Sequence, residues 1–117
     1  MQTIYKSLED LNQLVLQGKA LEAFEKYYHE EVVMQENEQT PTVGKTANRE
    51  REEEFFSKIT DFRGAEVKGV AVNGSISFVI WEYDYTHAEW GERQYTQVSV
   101  QHWKDGKIMK EQFFYGN

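Results

Sequence analysis

From Ile76 to His87 the side chains alternate with a period of two. The even positions read Ile76, Phe78, Ile80, Glu82, Asp84 and Thr86. The odd positions read Ser77, Val79, Trp81, Tyr83, Tyr85 and His87. A strand sends successive side chains to opposite faces, so this is a strand with two working faces. One is aromatic along most of its length. The other starts apolar and turns acidic. A strand covered on one side only is plainly apolar against polar. This one serves two surfaces, one of which becomes a polar hollow, and a hollow in a sheet points to a small-molecule pocket without naming the molecule.

Two tight-turn dipeptides frame the region. Asn73-Gly74 separates Val67–Val72 from the long strand, and Asp105-Gly106 separates Tyr95–Trp103 from Ile108–Tyr115. Both are two-residue hairpin signals. Ala88 to Arg93 reads as a wider turn. The first half of the chain is helical in pattern. Leu8, Leu11 and Val15 recur at helical spacing until Gly18, and Leu21, Phe24 and Tyr28 form a second stripe. Val32-Val33-Met34 reads as a short buried strand, and Gln35–Gly44, with the only proline, as a loop. A third helix runs from about Lys45 to Ile59. Its polar start, KTANREREEE, is either a solvated face with i,i+4 charge pairs or a wall in which Asn48, Arg51 or Glu52 borders a wet cavity. Helices first and a meander last make the class α+β.

At 117 residues the chain makes one domain, expected over residues 1–117. Aromatics at 15% supply large buried areas. Without cysteine there is no disulfide and no thiolate metal site. The N-terminal run carries charges where a signal peptide would be apolar, and no segment is long enough to span a bilayer, so a soluble cytoplasmic protein is expected. A net charge of -7 argues against nucleic acid as a partner. His29, His87 and His102 lack zinc-ligand spacing, and no phosphate loop or nucleophile elbow is present. No metal and no cofactor are expected.

The helix pair LNQLVLQGKALEAFEKYY, the strand VVMQEN, the loop ending in VGK and the tail VSVQHWKDGKIMKEQFFY, in this order, resemble the NTF2-like superfamily and its SnoaL-like, ketosteroid isomerase-related branch. The resemblance covers nearly the whole chain. It implies a cone: a strongly curved antiparallel sheet wrapping three helices around a pocket, with dimers forming through the outer sheet face. Activities in the superfamily include ketosteroid isomerisation, polyketide cyclisation, epoxide hydrolysis and dehydration, and some members only bind. The fold therefore leaves function to the site.

The resemblance places Glu36 where the isomerases carry their general base. It also places Leu11 and Ser99 where they carry oxyanion donors, which argues against steroid isomerisation of that type. It turns Ser99, Gln101 and Trp103 into the cone, with Phe78, Ile80, Glu82 and Asp84 beside them and Glu111, Phe113 and Tyr115 joining from the last strand. Glu36, Glu82, Asp84 and Glu111 would then share protons, pair with Arg49 or Arg51, or bind a cation. In the other register, Trp81, Tyr83, Val98 and Val100 lie inside and the acids stay in water, since a slip of one flips every side chain.

The acidic-face arrangement leaves Val79, Trp81, Tyr83, Val98 and Val100 as an outer apolar patch, and hence predicts a two-fold homodimer. The function expected is proton transfer on a small hydrophobic, carbonyl-containing compound. The alternatives are a non-catalytic ligand-binding protein and a dimeric scaffold.

Overall fold

The computed structural model describes residues 3–116; Met1, Gln2 and Asn117 of the expected domain lie outside the described residues. The element order is α1 (Ile4–Leu16), α2 (Ala20–Tyr27), β1 (Tyr28–Glu36), β2 (Thr42–Val43), α3 (Lys45–Ser57), β3 (Ile59–Asn73), β4 (Ile76–His87), β5 (Gly91–Lys104) and β6 (Lys107–Tyr115). Thr3 caps α1 by accepting from the Lys6 amide at 3.2 Å. Gly18, at φ 78, lets the chain turn into α2.

The six strands form one sheet in the order β2-β1-β6-β5-β4-β3. The sheet is mixed, not wholly antiparallel as expected: β1 lies parallel to β6. Helix α3 separates β1 from the meander, so β1 reaches the sheet from a crossover and its direction is not set by a hairpin. The Asp105-Gly106 turn has both residues at positive φ, 53 and 80, as a twist-matched two-residue turn requires. At the other hairpin Asn73 still pairs with Ile76, so the loop is Gly74-Ser75, one residue later than the dipeptide suggests.

Strand β3 begins at Ile59, well before the expected Val67, and its pairing with β4 slips at three places, between Ile59 and Asp61, Phe62 and Gly64, and Val67 and Gly69. Such irregularities bend a strand and increase its twist, which curves this edge of the sheet round the helices.

The β4–β5 pairing is regular and decides which face looks inward. Ile76 opposes His102, Val79 opposes Ser99, and Trp81 opposes Gln97. Cross-strand partners share a face, so odd residues of β4 lie with odd residues of β5. The three helices cover that face: Leu8, Leu11, Ala23, Phe24 and Tyr27 pack with Val32, Met34, Val79, Trp81, Trp103 and Ile108.

This corrects two expectations. Phe78, Ile80, Glu82 and Asp84 lie on the outer face, where Asp84 pairs with Arg63 at 2.8 Å and Glu82 with Lys68 at 3.9 Å. Val79 and Trp81 are buried inside, Trp81 at 3% exposure, so they form no outer patch with Val98 and Val100. Among the described residues, no helix is long and apolar enough to cross a membrane, and no three His, Asp or Glu side chains gather in a metal-binding group.

Candidate functional site

Between the helices and the inward sheet face lies a cavity of about 1030 Å³. Its sheet wall is a stack of cross-strand rows. Gln101 and Glu111 form the innermost, backed by the buried Ser77; then come Ser99, Phe113 and Glu36, beside the buried Val79; then Trp81, Gln97 and Tyr115; then Tyr83 with Tyr95; and finally Tyr85 with Arg93. From the helix side Asn48, Glu52 and Phe55 contribute. Their spacing of four and three residues puts them on one face of α3.

The innermost row is a directed hydrogen-bond chain. The Trp103 indole Nε1–H donates to Ser77 Oγ at 2.9 Å, and Ser77 Oγ–H donates to Gln101 Oε1 at 2.6 Å. An indole N–H can only donate. Ser77 therefore accepts from it and passes its own proton on, which turns the Gln101 carbonyl towards Ser77 and its amide towards Glu111. Gln101 Nε2 donates to Glu111 Oε2 at 2.9 Å, and the Tyr28 hydroxyl donates to Glu111 Oε1. Tyr28 is itself held by stacking on Phe24, ring centroids 4.8 Å apart.

Glu111 is 3% exposed. Burial pushes its carboxyl up to about 7, against the opposing pull of the Tyr28 and Gln101 hydrogen bonds. Glu52, also on the cavity wall, is pushed up to about 8, first by burial and then by the charges of Glu111 and Glu36, with Arg51 acting the other way. Two carboxyls in one low-dielectric hollow resist ionising together. Burial, reinforced by Glu111, holds the Tyr28 and Tyr83 phenols well above their ordinary values, so both remain hydrogen-bond donors at neutral pH.

Glu36, expected as the base, lines the cavity but is tied at its rim. Oε1 accepts from the Tyr115 hydroxyl at 2.9 Å, and Oε2 meets Arg51 Nη2 at 3.1 Å, with 37% of the side chain exposed. Arg51 is fixed in turn on Thr42 Oγ1 at 2.6 Å. The cavity thus brings together Glu36, Ser99, Gln101, Glu111, Phe113 and Tyr115 of the expected residues. It leaves Phe78, Ile80, Glu82 and Asp84 outside. Trp103 points inward but sits behind Ser77 as a buried support.

Residues not singled out as site members are Tyr28, Ser77, Tyr95 and Arg93, together with the Trp81–Tyr83 pair, stacked at 5.4 Å and 11°. Glu52 was one of three candidates for a wet wall. Asn48, a second, lines the cavity, but its Nδ2 serves the backbone: it donates to the carbonyls of Val32, Thr42 and Gly44 at 3.2, 3.0 and 2.8 Å. That bond set holds the β2 loop against β1.

The profile of the SnoaL-like domain matches residues 3–115. The chain belongs to the SnoaL-like family. A crystal structure from Mesorhizobium loti, named by resemblance a SnoaL-like polyketide cyclase, is similar over 97% of this chain and 100% of its own, at TM-score 0.88 and 27% identity. An NTF2-like protein of unknown function from Burkholderia pseudomallei shares the fold at TM-score 0.83 and 10% identity, over 99% and 92% of the two chains. So does a protein of ketosteroid isomerase-like fold from Catenulispora acidiphila, solved with trimethylamine, at TM-score 0.77 and 9% identity over 97% and 88%. No curated protein matches the sequence. Across this SnoaL-like family the fold carries several chemistries, so the cavity's own residues, not the fold, decide what this chain can do.

Proposed function

We propose that this SnoaL-like protein binds a small carbonyl-containing organic molecule and moves a proton on it, with Glu111 and Glu52 as the acid/base pair. The observation that carries this is the buried Glu111 carboxyl, poised near neutrality in an aromatic-lined cavity that also holds a second raised carboxyl, Glu52. A group that titrates near working pH is the efficient proton carrier, and pairs whose environments push them up are candidates for the acid and base roles. Tyr83, whose hydroxyl has no hydrogen-bond partner among the described residues, supplies a neutral donor for a developing oxyanion, in place of the donors missing at Leu11 and Ser99. Glu36, neutralised by Arg51, shapes the rim.

One observation favours a binding site without chemistry: both Glu111 oxygens already accept hydrogen bonds. The discriminating experiment is carbon-detected NMR of the glutamate carboxyls across pH. It is combined with solvent deuterium uptake at the α-carbons of a panel of cyclic and aryl ketones. Raised titration of Glu111 and Glu52, with uptake lost in Glu111→Gln, supports catalysis. Raised titration without uptake on any ketone supports binding alone, and ordinary titration of both carboxyls sinks the proposal. On the outer face, Phe78, Ile80, Val98, Val100 and Phe114 form the apolar strip through which we propose the homodimer.

A further inference from the structure

The chain has four arginines. Three are tied to carboxylates: Arg49 to Glu25 and Glu53, Arg51 to Glu36, and Arg63 to Asp61 and Asp84. The fourth, Arg93, lines the cavity and has no carboxylate partner among the described residues. Its Nε is buried and has no hydrogen-bond acceptor among them. Its guanidinium stands 5.1 Å from the centroid of the Tyr95 ring.

A guanidinium cannot shed its charge, and withdrawing its Nε–H from water without an acceptor is costly. Resting on an aromatic ring recovers part of that cost and orients the plane. It does not satisfy the Nε–H, and a guanidinium fork pairs readily with an oxyanion. The surroundings do not oppose an anion there. Glu36 is already paired with Arg51, Glu54 and Glu89 of the lining are paired with Lys58, and the raised values of Glu111 and Glu52 favour their uncharged forms near neutral pH.

We propose that Arg93 anchors the anionic end of an elongated organic acid, a carboxylate or sulfonate, whose apolar body lies along Trp81, Tyr83 and Phe113. The inference rests on the reading of this cavity as a ligand site and narrows the class of ligand. Length follows from position. Arg93 is four rows from Gln101 on β5, roughly 26 Å of strand at 3.3 Å per residue, less the sheet's curvature and the reach of both side chains. A ligand touching both Arg93 and the Glu111 end is therefore long and narrow.

The test uses a matched pair of fluorescent probes with one aromatic skeleton: 8-anilino-1-naphthalenesulfonate, which is anionic, and N-phenyl-1-naphthylamine, which lacks the sulfonate. Arg93→Gln should weaken the anionic probe about tenfold, equivalent to about 1.4 kcal/mol, and leave the neutral probe within about twofold. Arg93→Lys should restore part of the loss, and added salt should weaken the anionic probe in the wild type more than in Arg93→Gln. The neutral probe and the melting temperature report whether the cavity survives the substitution.

Equal affinity of the anionic probe for wild type and Arg93→Gln would overturn the inference. So would parallel loss of both probes at unchanged melting temperature, or binding of neither probe by the wild type. The carboxyl titration that tests proton transfer is run without ligand, so the two readings fail separately.

Discussion

Replacing Glu111 by Gln should change how stability depends on pH, by an amount that follows from its burial. The carboxyl ordinarily titrates at 4.5 and is raised to about 7 in the fold. The folded protein therefore holds this proton more tightly than the unfolded chain does. Below pH 4.5 both states are protonated and the stabilisation from this proton is fully present. As pH rises from 4.5 to 7 the unfolded chain ionises first, and stability falls; above about pH 8 the loss is complete. A gap of about 2.5 at about 1.36 kcal/mol each comes to about 3 kcal/mol. Glu111 is almost wholly buried, so no large discount for solvent screening applies.

Gln at this position is neutral throughout. Its amide oxygen can accept from Gln101 Nε2, and its amide nitrogen can donate to a turned Tyr28 hydroxyl, so the pocket is kept without the charge. Urea unfolding of wild type and Glu111→Gln at steps between pH 4.5 and 8.5 measures the difference directly. The variant should gain on the wild type by about 3 kcal/mol across that window. Glu52 adds to the gain, because the Glu111 charge is one cause of its raised value. Parallel stability profiles for the two proteins would refute the reasoning, since they would mean that Glu111 titrates alike in both states.

Gln101→Leu removes a donor that pulls the Glu111 carboxyl down, so its titration by NMR should move above about 7. Asn48→Ala removes the Nδ2 donor shared by the Val32, Thr42 and Gly44 carbonyls, of which Val32 and Gly44 keep the backbone amides of Gly44 and Asn48, and should cost about 1–2 kcal/mol in urea unfolding. Ile80→Glu, at an outer-face site 40% exposed, should convert a dimer to a monomer by light scattering at micromolar concentration. A wild type of monomer mass would refute the outer-face dimer.

The elements were legible because local chemistry and tertiary packing agree in them. Leu8, Leu11 and Phe24 keep helical spacing and all enter the core. Asp105-Gly106 adopts the turn its residues prefer. The parallel placement of β1 was not legible, because α3 intervenes and no hairpin fixes direction. Nor was the early start of β3 at Ile59. Its first residues, Thr60 to Arg63, are exposed and carry no alternation, being held by pairing with β4 alone.

The site was half legible, and the missing half turns on one loop. Sequence reading joined Ser99 and Gln101 to the even face of β4, or Val98 and Val100 to the odd face. Each choice mixes parities across the hairpin. His87 pairs with Gly91, leaving Ala88, Glu89 and Trp90 as a three-residue loop. An odd number of loop residues pairs residues of equal parity, so Ser99 must share a face with Val79 and Trp81. The acidic turn of the even face then answers to solvent, where Arg63 and Lys68 neutralise it.

The cavity's second carboxyl comes instead from α3, whose KTANREREEE segment looks solvated when read for charge. Read for spacing, Asn48, Glu52 and Phe55 share one helix face, and Phe55 marks that face as inward. It stacks with His87 at 5.8 Å and meets Tyr85 edge-on at 5.6 Å. A single apolar residue in register with polar ones was the available sign that the polar ones face a hollow. The parity of the β4–β5 loop, combined with that register, assigns both walls of the cavity without any appeal to overall hydrophobicity.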